Sequence, residues 1–438
     1  MKTLPAAVLL LSLVALKMNA QVTDTVKKEN FSFHMQTTII NQYKPGFKAD
    51  YTGQNSLQTR EEARNSVTAT LFAGARLWKN ASVFVNPELA GGSGLSKVLG
   101  LADATNGETF RVGSTEPKIY LARAYMQQLF ALDATEETQE SDQNQLGGAV
   151  PQSYIGITAG KICLSDYFDQ NSYSHDPRSQ FMNWGLMSNG AWDYPANTRG
   201  YVPSVILEYV TPKNELRLAL SLLPKEANGL DMNWNVSKSN SATAEYTRRY
   251  SWLGKKGAIR FLAFLTRGKM GNYSESIRLN PYAPVIEDVQ QYGNKKYGFA
   301  VNAEQELNNF LGAFFRASWN DGHTQTWAFT EIDKSISLGI SAKGSKWSRV
   351  NDTAGLAVVA SGISNPHKDY LAAGGYGFML GDGQLNYGLE SVAEFYYSAE
   401  IQKNLYLSGG YQFILNPGYN KDRNGLVNVF SVRLHANL

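Results

Sequence analysis

The sequence predicts an all-β protein: a transmembrane antiparallel β-barrel of about sixteen strands, with about eighteen also compatible with its length. Three observations point there. Apolar and polar residues alternate with period two from one end of the 438-residue chain to the other. The polar positions repeatedly carry full charges in mid-strand, while aromatics crowd the ends of the apolar faces, as an interfacial girdle requires. The N-terminus has the form of an export leader, and no later run is apolar and long enough for a spanning helix.

Residues 1–20 read as a signal peptide: Lys2 supplies the positive charge, Leu4 to Leu16 the apolar stretch, and Asn19-Ala20 the small-residue end. No cysteine follows the apolar run, which argues against a lipid anchor. Residues 21–30 form a short polar lead-in, and 31–438 the barrel as one domain. In 66–78, Val67, Ala69, Leu71, Ala73, Ala75 and Leu77 face one way, with Ser66, Thr68, Thr70 and Arg76 opposite. Leu216, Leu218, Leu220 and Leu222 alternate with Arg217, Ala219 and Ser221; Ile259, Phe261, Ala263 and Leu265 with Arg260 and Thr266. Tyr297, Phe299, Val301 and Ala303 oppose Asn302 and Glu304, and Ala313, Phe315, Ala317 and Trp319 oppose Arg316 and Ser318. Towards the C-terminus, Tyr387, Leu389, Ala393, Phe395 and Tyr397 oppose Glu390, Glu394 and Tyr396, and Phe430, Val432, Leu434, Ala436 and Leu438 oppose Ser431, Arg433, His435 and Asn437. The girdle candidates are Trp78, Tyr297, Trp319, Tyr387 and Tyr397. Residues 131–151, acidic and Gln-rich (Glu136, Glu137, Glu140, Asp142), read as a solvated loop, as do 228–245. No repeat of the propeller or solenoid kind is present.

Composition excludes several classes. The single cysteine, Cys163, permits no intramolecular disulfide, and the five histidines are scattered without metal-ligand spacing. The formal charge of +3 falls to +1 once Lys2 and Lys17 leave with the leader, so a basic nucleic-acid-binding surface has no support. No cofactor is expected. Aromatics make up 12 % of the chain, led by 24 Tyr, which suits a β-structure with two different solvents on its two faces.

The densest chemistry lies in 166–199. Here Asp166, Asp169, Asp176 and Asp193 occur with Arg178, Arg199 and Asn183 among the rings Trp184, Trp192 and Tyr194. Carboxylates, amides and guanidinium groups bond sugar hydroxyls, and rings stack on the apolar faces of pyranoses. The expectation is that this segment dips into the barrel and forms a constriction. Two blander roles stand beside it: Asp176-Pro-Arg as a turn capped by its Asp, and Trp184 and Trp192 as rings of a loop core. The strand arginines Arg76, Arg123, Arg217, Arg260 and Arg316 are expected to stand in the lumen as a solvated ladder. Glu390 and Glu394 share one strand face and would pair with lumen arginines. Glu88, with Asn86 around Pro87, would project inward near a strand end.

At these residues the chain resembles the carbohydrate-selective porins of Gram-negative outer membranes. The resemblance rests chiefly on Asp166-Tyr-Phe-Asp, Asp176-Pro-Arg-Ser-Gln-Phe-Met-Asn-Trp, Gly190-Ala-Trp-Asp-Tyr-Pro-Ala and Asn197-Thr-Arg-Gly. Gly374-Gly-Tyr-Gly-Phe, Leu380-Gly-Asp-Gly, Tyr411-Gln-Phe-Ile-Leu-Asn-Pro-Gly and the final alternating run support it. It implies a lumen narrowed by inward-folded loops, passive and partly selective diffusion of mono- or oligosaccharides, contact with outer-membrane lipids, and no cofactor or chemistry. It leans towards a monomer, with a trimer left open. Leu438 departs from the family, whose chains usually end on an aromatic. Two other functions remain as alternatives: a non-specific diffusion pore or a structural or adhesive barrel, and a glycosidase built on Asp166/Asp169 or Glu390/Glu394. The last has no cleft signature behind it, and no Gly-x-Ser-x-Gly elbow offers a serine nucleophile.

Overall fold

The computed structural model describes residues 28–109, 116–328 and 330–438. The expected signal peptide and most of the lead-in lie outside these residues. In chain order the strands are β1 (Phe31–Lys44), β2 (Glu62–Trp78), β3 (Ala81–Gly92), β4 (Lys118–Ala131), β5 (Glu136–Gln139), β6 (Gly148–Pro151), β7 (Tyr154–Ile162), β8 (Val202–Val210) and β9 (Asn214–Leu222). They continue as β10 (Asn240–Trp252), β11 (Lys255–Met270), β12 (Gln291–Glu306), β13 (Leu311–Asn320), β14 (Lys334–Lys343), β15 (Thr353–Gly362), β16 (Glu390–Gln402), β17 (Leu405–Leu415) and β18 (Val427–Asn437). β5 and β6 pair only with each other, and the other sixteen strands form one closed antiparallel barrel. β1 closes on β18 with Ile39 opposite Leu434 and Tyr43 opposite Phe430. Met35 and Leu438 exchange backbone hydrogen bonds of 2.9 and 2.8 Å across that seam. Closure leaves no unpaired edge in the hydrocarbon layer.

The alternation read in the sequence sorts residues between wall faces. Leu216, Leu218 and Leu220 are exposed on the outside, whereas Ala219 and Ser221 are buried within. Phe430, Val432 and Leu434 face out, and Ser431, Arg433 and His435 face in. Among the described residues no helix is long and apolar enough to cross a membrane; the strands do so. Exposed rings ring both ends: Phe31, Phe33, Trp78, Phe130 and Trp252 at one, Tyr43, Tyr292, Tyr297 and Trp319 at the other. Phe299 and Trp319, opposite each other on β12 and β13, lie 6.4 Å apart and stack within 6°. Tyr387 is not part of the girdle. It turns into the loop core, 6.2 Å from Tyr419 and under the Lys368 ammonium, because the chain enters β16 only at Glu390.

One end carries the long connections 45–61, 93–117, 163–201, 223–239, 271–290, 321–333, 363–389 and 416–426. The other carries tight turns such as 79–80, 253–254 and 403–404, where Asn80, Gly254 and Asn404 take positive φ. The long connections fold inward. Trp184, Trp192, Tyr273, Tyr370, Leu380 and Tyr419 from them join Phe84, Tyr125, Ile206 and Phe264 from the inner wall in one buried apolar cluster. The core of this protein therefore lies inside the barrel. Two loop expectations change. β10 takes up residues from Asn240 onward, and 131–151, solvent-exposed over most of 131–142 as expected, is ordered as the β5–β6 hairpin.

Candidate functional site

Residues 163–201, between β7 and β8, enter the barrel and are held there by charges on its inner wall. Arg316 on β13 donates to Asp169 Oδ1 at 3.0 Å and to the carbonyls of Leu186 and Ser174 at 2.9 and 2.7 Å. Glu394 on β16 accepts from Met182 N at 2.7 Å and Asn183 N at 2.8 Å. Glu245 on β10 accepts from Asp169 N at 2.8 Å. Arg433 on β18 donates to the carbonyls of Pro177 and Gln180, and Arg217 on β9 to that of Tyr167. Glu390 does the same for the 93–117 and 416–426 loops, accepting from Ala102, Asp103 and Gly418 N. A folded-in loop has backbone groups that water no longer reaches, and charged side chains satisfy them strongly.

This corrects two expectations. The strand arginines are not a solvated ladder: Arg316 is 1 % and Arg260 7 % exposed. Arg217 pairs with Glu208 and Glu215 at 2.9 and 2.8 Å, and Arg260 with Glu304 at 3.3 Å. Glu390 and Glu394 hold loop amides rather than arginine side chains. Arg316, Glu390 and Glu394 are taken up by the loops that fill the lumen, and Arg217 and Arg260 chiefly by carboxylates of neighbouring strands.

Three members of the predicted constellation are likewise structural and line neither the cavity of about 560 Å³ nor that of about 1220 Å³. Asp169 is bound by Arg316, Asn189 and Asn302. Asn183 caps the short helix Trp184–Met187 by accepting from Gly185 N. Asp193 accepts from Trp327 and Ala328 N at 2.8 and 2.7 Å, with the buried Lys296 ammonium 3.7 Å away. Burial raises the Asp193 carboxyl above its ordinary value despite Lys296.

The others line one cavity of about 560 Å³ between the inserted loop and the wall of β2–β4 and β7. Asp166, Asp176, Arg178, Trp184, Trp192 and Arg199 all border it, as do Arg76, Glu88 and Arg123 from the strands. Arg123 and Asp166 form a two-pronged pair at 2.6 and 2.6 Å. Arg199 lies over the Tyr120 ring at 3.9 Å and Arg123 over Tyr201 at 5.0 Å. Trp184 and Tyr194 stack with planes 2° apart, their centres at 6.1 Å. These rings are both loop core and cavity wall.

Arg178 sits at the centre. Its Nε donates to Glu108 at 2.9 Å, while Nη1 and Nη2 lie 3.9 and 4.0 Å from Asp176 and Glu88. Those last two are ion-pair distances beyond hydrogen-bond reach, so the outer N–H groups keep donor capacity. Glu88 is itself occupied, accepting from Thr70 at 2.7 Å and from Tyr120 and Tyr201 hydroxyls. Burial lowers the tendency of Arg178 to stay charged, but Glu108, Asp176 and Glu88 outweigh it and raise its pKa. Burial also raises Glu108. Asp176, which burial alone would raise, is held below the ordinary value by Arg178, His435 and the N–H of Arg178. The turn reading of Asp176-Pro-Arg holds as well, since Asp176 Oδ1 accepts from Arg178 N at 3.0 Å. Arg178 also borders a second cavity of about 1220 Å³, open towards the tight-turn end, with Tyr173, Lys213 and Arg249 on its wall.

Glu108, Tyr120 and Tyr201 were not singled out from the sequence. Tyr120 and Arg123 are three residues apart, out of phase for one strand face. The register shifts here, with Asn86 opposite Arg123 and Pro87 opposite Leu121. The bulge at Ala122 turns both side chains inward, and the Pro87 it accommodates was the only available signal.

The sequence model of the carbohydrate-selective porin, OprB family, matches residues 54–438. The high-pH structure of Pseudomonas putida OprB superposes with a TM-score of 0.70 at 16 % identity, covering 93 % of this chain and 94 % of that one. Its low-pH structure gives 0.50 at 13 %, with 93 % of each chain covered. The outer membrane channel DcaP of Acinetobacter baumannii gives 0.52 at 12 %, covering 94 % and 100 %. Among curated protein sequences none matches.

Proposed function

This chain belongs to the carbohydrate-selective porin, OprB family, and as an outer-membrane carbohydrate channel of that family, we propose, it passes sugars through the cavity around Arg178. Outer-membrane barrels turn their short connections to the periplasm, so the long-loop end faces outward. A sugar would enter past Arg199 and Tyr120, exchange water for the free Nη donors of Arg178 and the Arg123–Asp166 pair, and slide along Trp184, Trp192 and Tyr194. Several weak contacts lower the barrier without trapping the solute, which a diffusion channel needs. The proposed constriction residues are thus Asp166, Asp176, Arg178, Trp184, Trp192 and Arg199, with Glu88 and Arg123 from the wall. On this reading the channel performs no chemistry and needs no cofactor, its leader directs it to the membrane, and a monomer or a trimer is compatible with it.

The observation that carries this reading is that Arg178 borders both cavities while its two outer nitrogens have no hydrogen-bond partner among the described residues. Arg178→Ala and Arg199→Ala, reconstituted in planar bilayers, should conduct ions better and lose discrimination between sugars and non-sugars of equal size. Unchanged conductance and unchanged discrimination in both would overturn the assignment.

A further inference from the structure

The connection 132–153, which carries β5 and β6, is unlike the others at its end of the barrel, where turns such as 79–80 and 253–254 join neighbouring strands directly. It folds back over the mouth. Leu146, 3 % exposed, belongs to the same buried cluster as Phe84 of the inner wall. Glu29 and Gly147 bond each other twice, N to O at 3.0 Å and Gly147 N to Glu29 Oε2 at 2.8 Å. Arg76 fastens that junction, its Nε donating to Glu29 O at 3.0 Å and Nη2 to Gly147 O at 3.3 Å. The hairpin tip then reaches three strands: Ser141 bonds His34 of β1 at 3.0 Å, Asn144 accepts from Asn86 of β3 at 2.9 Å, and Gln143 donates to Asn437 of β18 at 3.3 Å.

We propose that this hairpin is a second, amide-lined sugar-binding element at the periplasmic exit of the path, held in place by Arg76. The proposal rests on the channel reading above and extends it to a site of different chemistry. Gln139, Gln143, Asn144 and Gln145 border the same 560 Å³ cavity as Arg178, and Gln36 and Gln127 of the strands border it too. Of the hairpin carboxylates, Glu136 and Glu140 are exposed and do not line the cavity, whereas Glu137 borders it beside the amides. An amide offers two donors and a carbonyl oxygen, and the bonds to Asn437 and Asn86 leave Gln143 and Asn144 each with unused capacity. Neutral amides bind hydroxyls less tightly than guanidinium or carboxylate groups. A sugar leaving the charged centre therefore meets partners of the right kind that release it readily. Arg76 acts through the hairpin as a positioning residue.

The test uses the full-length protein in planar bilayers, reading ion conductance and its block by glucose. One variant replaces residues 136–151 with a short Gly-Ser turn. A second, Gln143→Ala with Asn144→Ala, removes two amides, and with them the tip's bonds to β3 and β18, but keeps the Arg76, Glu29, Leu146 and His34 contacts that hold the hairpin. The first should conduct at least about twofold better. In both, the glucose concentration for half block should rise about tenfold, the size expected from losing one or two hydrogen bonds. Arg76→Gln should move block the same way, and Arg76→Lys should restore part of it. Half block unchanged from the parent in the double-alanine variant would overturn the proposal, whatever the shortened variant conducts. If glucose does not block the parent channel at all, the channel reading itself fails; if it blocks parent and variants equally, only the hairpin assignment fails.

Discussion

Arg316 on the barrel wall and Asp169 on the inserted loop meet at 3.0 Å with each side chain only 1 % exposed. The pair ties the mid-height of β13 to the segment that fills the lumen, and it is representative: wall charges here serve the loops before they serve any solute. Removing one partner of a buried pair leaves the other charged and unmatched, at a cost of about 3–5 kcal/mol. Arg316→Met should therefore lower the urea midpoint of the folded barrel, and Arg316→Met with Asp169→Asn should recover part of the loss. A single variant as stable as the parent would contradict this role.

Gly100 sets the packing of three loops on one another. Its φ is +73°, an added Cβ would lie 2.0 Å from Leu57 N, and its own N–H bonds Met379 O at 3.0 Å. Gly100→Ala should undock 45–61 and 93–117 and expose them to protease while the barrel stays heat-modifiable. Gly254, with φ +74° and nothing within 4 Å, is the control: Gly254→Ala should cost only the left-handed conformational penalty of about 1–2 kcal/mol and leave the loops resistant.

Asp103 gives loop docking a pH dependence. It is fully buried, Oδ2 accepts from Ser361 at 2.9 Å, and Oδ1 has no hydrogen-bond partner among the described residues. Burial drives its carboxyl up to about 7, with the Ser361 bond pulling the other way. A carboxyl raised in the folded state stabilises fully below its ordinary value of 3.8, and that contribution is lost as pH rises through about 7. Protease resistance of 93–117 should decline over that window, and Asp103→Asn, neutral throughout, should flatten the decline. An equal slope in parent and variant would rule Asp103 out.

The barrel was legible because a wall between lipid and lumen forces alternation strand by strand, as in 216–222 and 430–438. The inserted loop was legible as chemistry: Asp166, Arg178, Trp184 and Arg199 do border one cavity. Division of labour within it was not. Asp169 and Asp166 are three residues apart and look alike in sequence, yet one is locked to Arg316 and the other borders the cavity beside Arg123. What separates them is which wall residue each meets, and that depends on contacts between distant segments. Glu394 shows the same limit: its position predicts that it faces inward, but not that loop amides arrive to take it. The hairpin was missed because its acidic, Gln-rich composition marks polarity, while its place is fixed by Arg76 and Leu146.

Liposome swelling with the folded protein tests the central claim most directly, comparing hexoses and maltodextrins with amino acids of matched size. The account predicts faster swelling with sugars than with equal-sized non-sugars, and loss of that difference in Arg178→Ala. Rates set by solute size alone, the same in parent and variant, would contradict it.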